Sequence, residues 1–126
     1  MNTKPRTILL VEDEFLACLH LKTVLANRGY EVVGPASSGQ EAIDLAAKFR
    51  PELVLMDIRI AGNIDGIAAA SRILELYAVP VIFMSGYQDR DLREKALALK
   101  PLAYLVKPVM IRDIESAIEK IIEGSD

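Results

Sequence analysis

The sequence predicts an α/β fold, a doubly wound five-stranded parallel sheet between two layers of helices, and three observations carry that prediction. Strand-like and helix-like signals alternate five times along 126 residues, with no low-complexity linker and no charge block between them. The central strand-like runs are apolar at nearly every position, as strands buried on both faces must be. Four of the runs stop on polar residues: Ile8 to Val11 on Glu12-Asp13, Leu53 to Met56 on Asp57, Val81 to Met84 on Ser85, and Tyr104 to Val106 on Lys107. In a parallel sheet those ends share one edge, the edge where open α/β folds place their chemistry.

The first strand, about Thr7 to Val11, leads into a helix from about Glu14 to Arg28. Phe15, Leu19, Leu21, Val24 and Leu25 recur there at helical spacing, and Gly29 follows as the C-cap. The second strand, Glu31 to Gly34, is short and has the reduced apolar content of an edge. Ser38 and Glu41 have the spacing of a capping box for a helix that reaches Phe49, and Pro51 blocks its continuation. Leu53 to Met56 reads as a central strand, and after a loop containing Gly62 the pair Asp65-Gly66 opens a helix with Ile67, Ala70, Ile73, Leu74 and Tyr77 on its apolar face. Pro80 opens the fourth strand, where a missing amide hydrogen is tolerated. A fourth helix, about Asp89 to Leu97, begins with two acids suited to the positive end of its dipole. Its Asp89, Asp91 and Glu94, interleaved with Arg90, Arg93 and Lys95, read as a solvated face. The last strand, Ala103 to Val106, runs into Lys107-Pro108, and Ile111, Ile114, Ala117, Ile118, Ile121 and Ile122 define a final amphipathic helix.

Composition narrows the function classes. A hydrophobic content of 52% over this length builds one sizeable core, so residues 1–126 read as a single domain. A formal charge of −3 supplies no electrostatic footprint for nucleic acid or an anionic membrane. The N-terminus reads as neither a signal peptide nor a membrane span, and a cytoplasmic protein is expected. Cys18 is the only cysteine and falls in a helical apolar pattern, so it reads as buried packing in a reducing compartment. His20, the only histidine, reads as a surface or partly packed side chain rather than a ligand, and Met56 and Met84 as packing.

Right-handed crossovers with helices on both faces favour the flavodoxin-like strand order 2-1-3-4-5, which makes strands one and three neighbours. Glu12, Asp13 and Asp57 then converge at the switch point. Three carboxylates packed together repel and raise one another's pKa values unless a cation neutralises them. With no nearby His or Cys, an all-oxygen set selects magnesium, or manganese as its substitute, over zinc. Such a site keeps waters and takes an oxygen from a phosphate.

The segments Leu10-Val11-Glu12-Asp13-Glu14, Leu55-Met56-Asp57, Phe83-Met84-Ser85-Gly86-Tyr87 and Tyr104-Leu105-Val106-Lys107-Pro108 resemble, in order and spacing, the receiver domains of two-component response regulators. The resemblance covers essentially the whole chain. It implies that Asp57 is the phosphoacceptor, attacking the phosphorus of a phosphohistidine in a histidine kinase or phosphotransfer protein, or of a small phosphodonor. It implies that Asp13, Glu12, Asp57 and the backbone carbonyl of Arg59 hold Mg2+, and that Lys107, the Ser85 hydroxyl and the Gly86 amide meet the phosphoryl oxygens. The protein is then a signalling domain that catalyses its own phosphorylation and dephosphorylation, not an enzyme acting on other substrates. It further implies that Ser85 and Tyr104 form the switch, that helix four, strand five and helix five are the surface read by a downstream effector, and that Lys107-Pro108 is cis, where the general preference is trans.

This chain departs from the family's commonest pattern at several positions. Glu12 stands for a more frequent aspartate and Ser85 for threonine, each keeping its functional group. The loop Ile58 to Ile64 is one residue longer than in many members and lacks the usual proline. Arg59 and Tyr87 occupy positions that influence phosphoryl lifetime in the family, and their bulk is expected to hinder the in-line water and slow autodephosphorylation. Pro101-Leu102-Ala103 replaces the acidic residues of an ion-paired dimer and reads as core, with docking of a partner helix as the alternative. An aspartyl-phosphate phosphatase of the haloacid-dehalogenase type is disfavoured because Arg59 stands where its second aspartate belongs. A flavin binder is disfavoured because Glu12-Asp13-Glu14 would repel the flavin phosphate. A pseudo-receiver that binds partners without phosphorylation is the alternative function.

Overall fold

Alternate residues of the central strands face opposite ways, and this divides the interior into two cores. The computed structural model describes residues 4–123, apart from the side chains of Tyr87 and Glu123. The strands β1 (Thr7–Val11), β2 (Glu31–Ala36), β3 (Leu53–Asp57), β4 (Val81–Ser85) and β5 (Ala103–Val106) form one parallel sheet in the order β2-β1-β3-β4-β5. Leu9, Val11, Val54, Met56, Val81 and Phe83 point to one face, and Ile8, Leu10, Leu53, Leu55, Ile82 and Met84 to the other. The first face is covered by α2 (Gly39–Phe49), α3 (Gly66–Leu76) and α4 (Arg93–Ala98), through Ala42, Ala46, Ala69, Ala70, Ile73 and Ala96. The second is covered by α1 (Phe15–Asn27) and α5 (Ile111–Glu123), through Leu21, Leu25, Ile114, Ala117 and Ile118. Every residue of β3 and β4 is buried, which is why those segments carry no polar alternation. At about 1.5–3 kcal/mol for each fully buried aliphatic side chain, β1, β3 and β4 are strongly held, whereas β5 is half-buried with Val106 exposed.

The edge assignment of β2 holds, although the strand runs two residues further than expected, to Ala36, with a register shift opposite β1 between Leu9 and Val11. The C-terminus of α1 is as read, with Gly29 in the left-handed region at φ 91°. Its apolar face is as read at Leu21 and Leu25 but not at Phe15 and Leu19. The buried residues are Cys18, Leu21 and Leu25, while Phe15 is 75% and Leu19 53% exposed. A helix this apolar carries more than one stripe at spacings of three and four, and only contact with β1 and α5 decides which faces inward. Ser38 caps α2 by accepting from the Glu41 amide at 3.2 Å, but the Glu41 carboxylate returns to the Ser37 amide at 2.8 Å, one residue earlier than a capping box requires.

The fourth helix departs most from expectation. Residues Tyr87–Leu92 form a 3-10 segment and only Arg93–Ala98 are α-helical. Asp89 is not on a solvated face but 1% exposed. Its carboxylate turns back to accept from the Gly86 amide at 2.9 Å, which tightens the entry turn. Pro101, Leu102 and Ala103 are half-buried, and Leu102 and Ala103 pack on the second core, in keeping with the core reading. The Gly34–Pro35 and Lys107–Pro108 peptide bonds are cis, the second as the resemblance implied. Among the described residues no helix is long and apolar enough to cross a membrane.

Candidate functional site

The site is built at the C-terminal ends of β1, β3, β4 and β5, where adjacent registers bring distant polar residues level. β1 and β3 are direct neighbours, with Val11 opposite Met56, so the next residue of each strand, Glu12 and Asp57, lie side by side. Oxygens of Glu12, Asp13 and Asp57 lie within 4.8 Å of one another. Glu12 and Asp57 are each 2% exposed, whereas Asp13 is exposed and opens the cluster to solvent. Glu12 is anchored through its amide to the Ala36 carbonyl at 2.9 Å and through its own carbonyl, which accepts from Cys18 Sγ at 3.0 Å. Cys18 is thus buried packing with one added polar contact, and His20 is exposed on the surface, both as read.

Lys107 reaches this cluster from β5. Its backbone amide donates to the Ser85 carbonyl at 2.7 Å, and its ammonium donates to Asp57 Oδ2 at 2.8 Å and meets Glu12 Oε1 at 3.0 Å. Burial pushes the Asp57 carboxyl up to about 7, the Glu12 carboxylate adds to that rise, and Lys107 opposes it. Burial by itself would lower the Lys107 ammonium, but its hydrogen bonds and charge pairing with Asp57 and Glu12 outweigh it, so its net shift is upward. One ammonium therefore serves two buried carboxylates. A hard cation fits this donor set: the carboxylates number three, they converge, and one side of the cluster faces water.

The β4 end contributes Ser85 and Gly86. Ser85 is 1% exposed, and its Oγ is buried with no hydrogen-bond partner among the described residues. Ser85, Gly86, Arg90, Arg93, Tyr104 and Val106 line a cavity of about 510 Å³. Tyr104 is half-buried along it, with the Arg93 guanidinium 5.5 Å from its ring centre. The Arg59 amide donates to Asp57 Oδ1 at 3.1 Å, while its guanidinium pairs with Asp89. Tyr87, the other residue expected to affect phosphoryl lifetime, has its side chain outside the described residues.

Two supporting residues lie beyond what the sequence reading picks out. That reading sets Asp89 on a solvent face, although the spacing Gly86-x-x-Asp89 is that of an N-cap and its N3 acid, a readable signal. Gly66 reads in the sequence only as a helix start. A Cβ there would stand 2.0 Å from the Asp57 carbonyl oxygen and 2.8 Å from Ile58 Cα, so glycine is what lets α3 pass behind the phosphoacceptor candidate.

The family model described as the response regulator receiver domain matches residues 8–119. The chain belongs to that family. It is 44% identical over 115 residues to the transcriptional regulatory protein PdtaR of Mycobacterium tuberculosis, covering 91% of this chain and 56% of that protein. The chain thus spans only about half the length of that curated relative. It is 34% identical to the sporulation initiation phosphotransferase F of Bacillus subtilis over 121 residues, 95% of this chain and 94% of that one. Among solved structures, the signal receiver domain of a modulated diguanylate cyclase from Desulfovibrio desulfuricans superposes with a TM-score of 0.87 at 34% identity, over 97% of this chain and 96% of that one. The receiver domain of a Pseudomonas aeruginosa sensor histidine kinase, with magnesium coordinated in its active site cleft, superposes with a TM-score of 0.82 at 27% identity, over 94% and 98% of the two chains.

Proposed function

We propose that this chain is a single receiver domain in which Asp57 accepts a phosphoryl group in a Mg2+-dependent reaction. The observation that carries the reading is the convergence of Glu12, Asp13 and Asp57, with the Lys107 ammonium against two of them and, nearby, a buried Ser85 hydroxyl unpaired among the described residues. In the step itself, an Asp57 carboxylate oxygen forms the new bond to phosphorus. The bond from phosphorus to the donor breaks, and its electron pair leaves with the donor's imidazole nitrogen or acetate oxygen. Asp13, Glu12, Asp57 and the Arg59 carbonyl would hold Mg2+, which neutralises negative charge on the transferring group and its acceptor. Lys107 supplies a fixed positive charge beside Asp57, and the Ser85 hydroxyl can donate to a phosphoryl oxygen.

The donor is a histidine kinase or histidine phosphotransfer protein, and the output goes to a downstream effector or a linked domain. Movement of Ser85 toward the phosphoryl group would vacate space that Tyr104 can fill, coupling the site to α4, β5 and α5. The net charge and the absence of a basic patch in the sequence support protein partners rather than direct nucleic-acid or membrane binding, in the cytoplasm. Bulk at Arg59 and Tyr87 is proposed to slow autodephosphorylation, and the test is phosphate loss from the Arg59→Ala, Tyr87→Ala double variant, expected to be faster than from wild type.

The deciding experiment is intact-protein mass after incubation with acetyl phosphate, with and without magnesium, on wild type and Asp57→Asn. One phosphate that requires magnesium and is lost in Asp57→Asn is the expected result. A folded wild type that takes no phosphate from acetyl phosphate or phosphoramidate would instead indicate a phosphorylation-independent interaction module.

A further inference from the structure

Both carboxylate oxygens of Asp89 are occupied in the resting chain. Oδ2 accepts from the Gly86 amide at 2.9 Å, and Oδ1 accepts from Nε of Arg59, a residue whose own amide donates to Asp57 Oδ1 at 3.1 Å. The pairing spans thirty residues of sequence and is made by an acid that is 1% exposed. The Gly86 amide is also the donor assigned above to a phosphoryl oxygen on Asp57. An amide carries one hydrogen, so a full-strength bond to Asp89 excludes one to the phosphoryl group. The adjacent Ser85 hydroxyl, by contrast, has no partner among the described residues. Among the described residues, the protein's own carboxylate thus holds one donor of the site and leaves its neighbour unheld.

We infer that Asp89 is a positioning residue that competes with the phosphoryl group, an internal anion that holds the Gly86 amide and the Arg59 guanidinium until phosphorylation displaces it. The inference rests on the phosphoacceptor reading of Asp57 and extends it. The Asp89 contacts stabilise only the resting arrangement, so they reduce the apparent affinity of the site for its anion by the resting-state stabilisation they provide. Release of Asp89 would leave the Arg59 guanidinium available near the new charge. It would also loosen the 3-10 segment Tyr87–Leu92, which leads directly into α4, so the exchange at one amide reaches the proposed output surface.

The test uses beryllofluoride with magnesium as a non-covalent phosphoryl mimic, titrated by amide NMR into wild type, Asp89→Ala and Asp89→Asn, alongside thermal melts. Asp89→Ala removes both contacts and is expected to lower the half-saturating beryllofluoride concentration on the order of tenfold, the scale of one charge-assisted hydrogen bond. Asp89→Asn keeps an oxygen for the Gly86 amide and loses the charge that holds Arg59, so it is expected to shift in the same direction by less. Lower melting temperatures with unchanged half-saturation would reduce Asp89 to a structural cap and overturn the proposal, as would weaker binding. If Asp89→Ala does not fold, Asp89→Asn carries the same test with the same criterion. A folded wild type that binds no beryllofluoride would overturn the phosphoacceptor reading and this inference together, whereas a binding wild type with unaltered variants would overturn this inference alone.

Discussion

At the scale of single residues, the charge arrangement around Asp57 makes stability depend on pH with a definite sign. The carboxyl titrates near 7 in the folded chain against an ordinary value of 3.8, so between those values the folded state holds a proton that the unfolded state has lost. The stabilisation from this group is complete below the unfolded value and is lost as pH rises through about 7. In the presence of a chelator, wild type is therefore expected to lose stability relative to Asp57→Asn between about pH 5 and pH 8, by an amount on the order of a few kcal/mol. Urea denaturation of the two proteins at both values measures it, and parallel pH profiles would remove the argument. Lys107→Ala is the companion change. At pH 8 it leaves two buried carboxylates without their cation and should cost about 1–3 kcal/mol, with a smaller cost at pH 5, where Asp57 is protonated.

At the scale of elements, the contrast between α1 and β3 shows what periodicity can and cannot decide. β3 is buried throughout and was legible because a strand covered on both faces leaves no polar position to misread. In α1 the apolar residues outnumber the positions that face inward. Leu25→Ala is expected to cost about 2–5 kcal/mol, while Phe15→Ser and Leu19→Ser should each stay within about 0.5 kcal/mol, reversing the ranking that side-chain size would suggest. Chemical denaturation separates the two sets. The turn from Asp57 into α3 gives a sharper prediction, because Gly66→Ala sets a methyl group against the Asp57 carbonyl. It should destabilise the chain by more than about 2 kcal/mol and reduce the fraction phosphorylated by acetyl phosphate, because the backbone that must shift is the one carrying the acceptor.

At the scale of the whole molecule, the sheet order turns four separate strand ends into one charged edge, and the energetics of that edge are collective. Magnesium should stabilise the folded chain by mass action, about 1.4 kcal/mol at ten times its dissociation constant, and Asp13→Asn should remove most of that gain. Melting temperature as a function of magnesium concentration reads it directly. Curated relatives differ in total length, from one nearly coextensive with this chain to one of which the match covers 56%.

The linear sequence by itself determined the strands, their parallel arrangement, and the line of Glu12, Asp13, Asp57, Ser85 and Lys107 at their ends, because burial on both faces and abrupt polar stops are local patterns. It also carried the family, since four short segments keep their order and spacing over the chain. Only the tertiary structure decided that α1 leaves Phe15 and Leu19 outside, that Asp89 is a buried partner of Gly86 and Arg59, and that Gly66 must lack a side chain. Each of those depends on a surface or atom supplied by a different element of the fold, and helical spacing is silent about which of several apolar stripes, or which of several acids, that neighbour will meet.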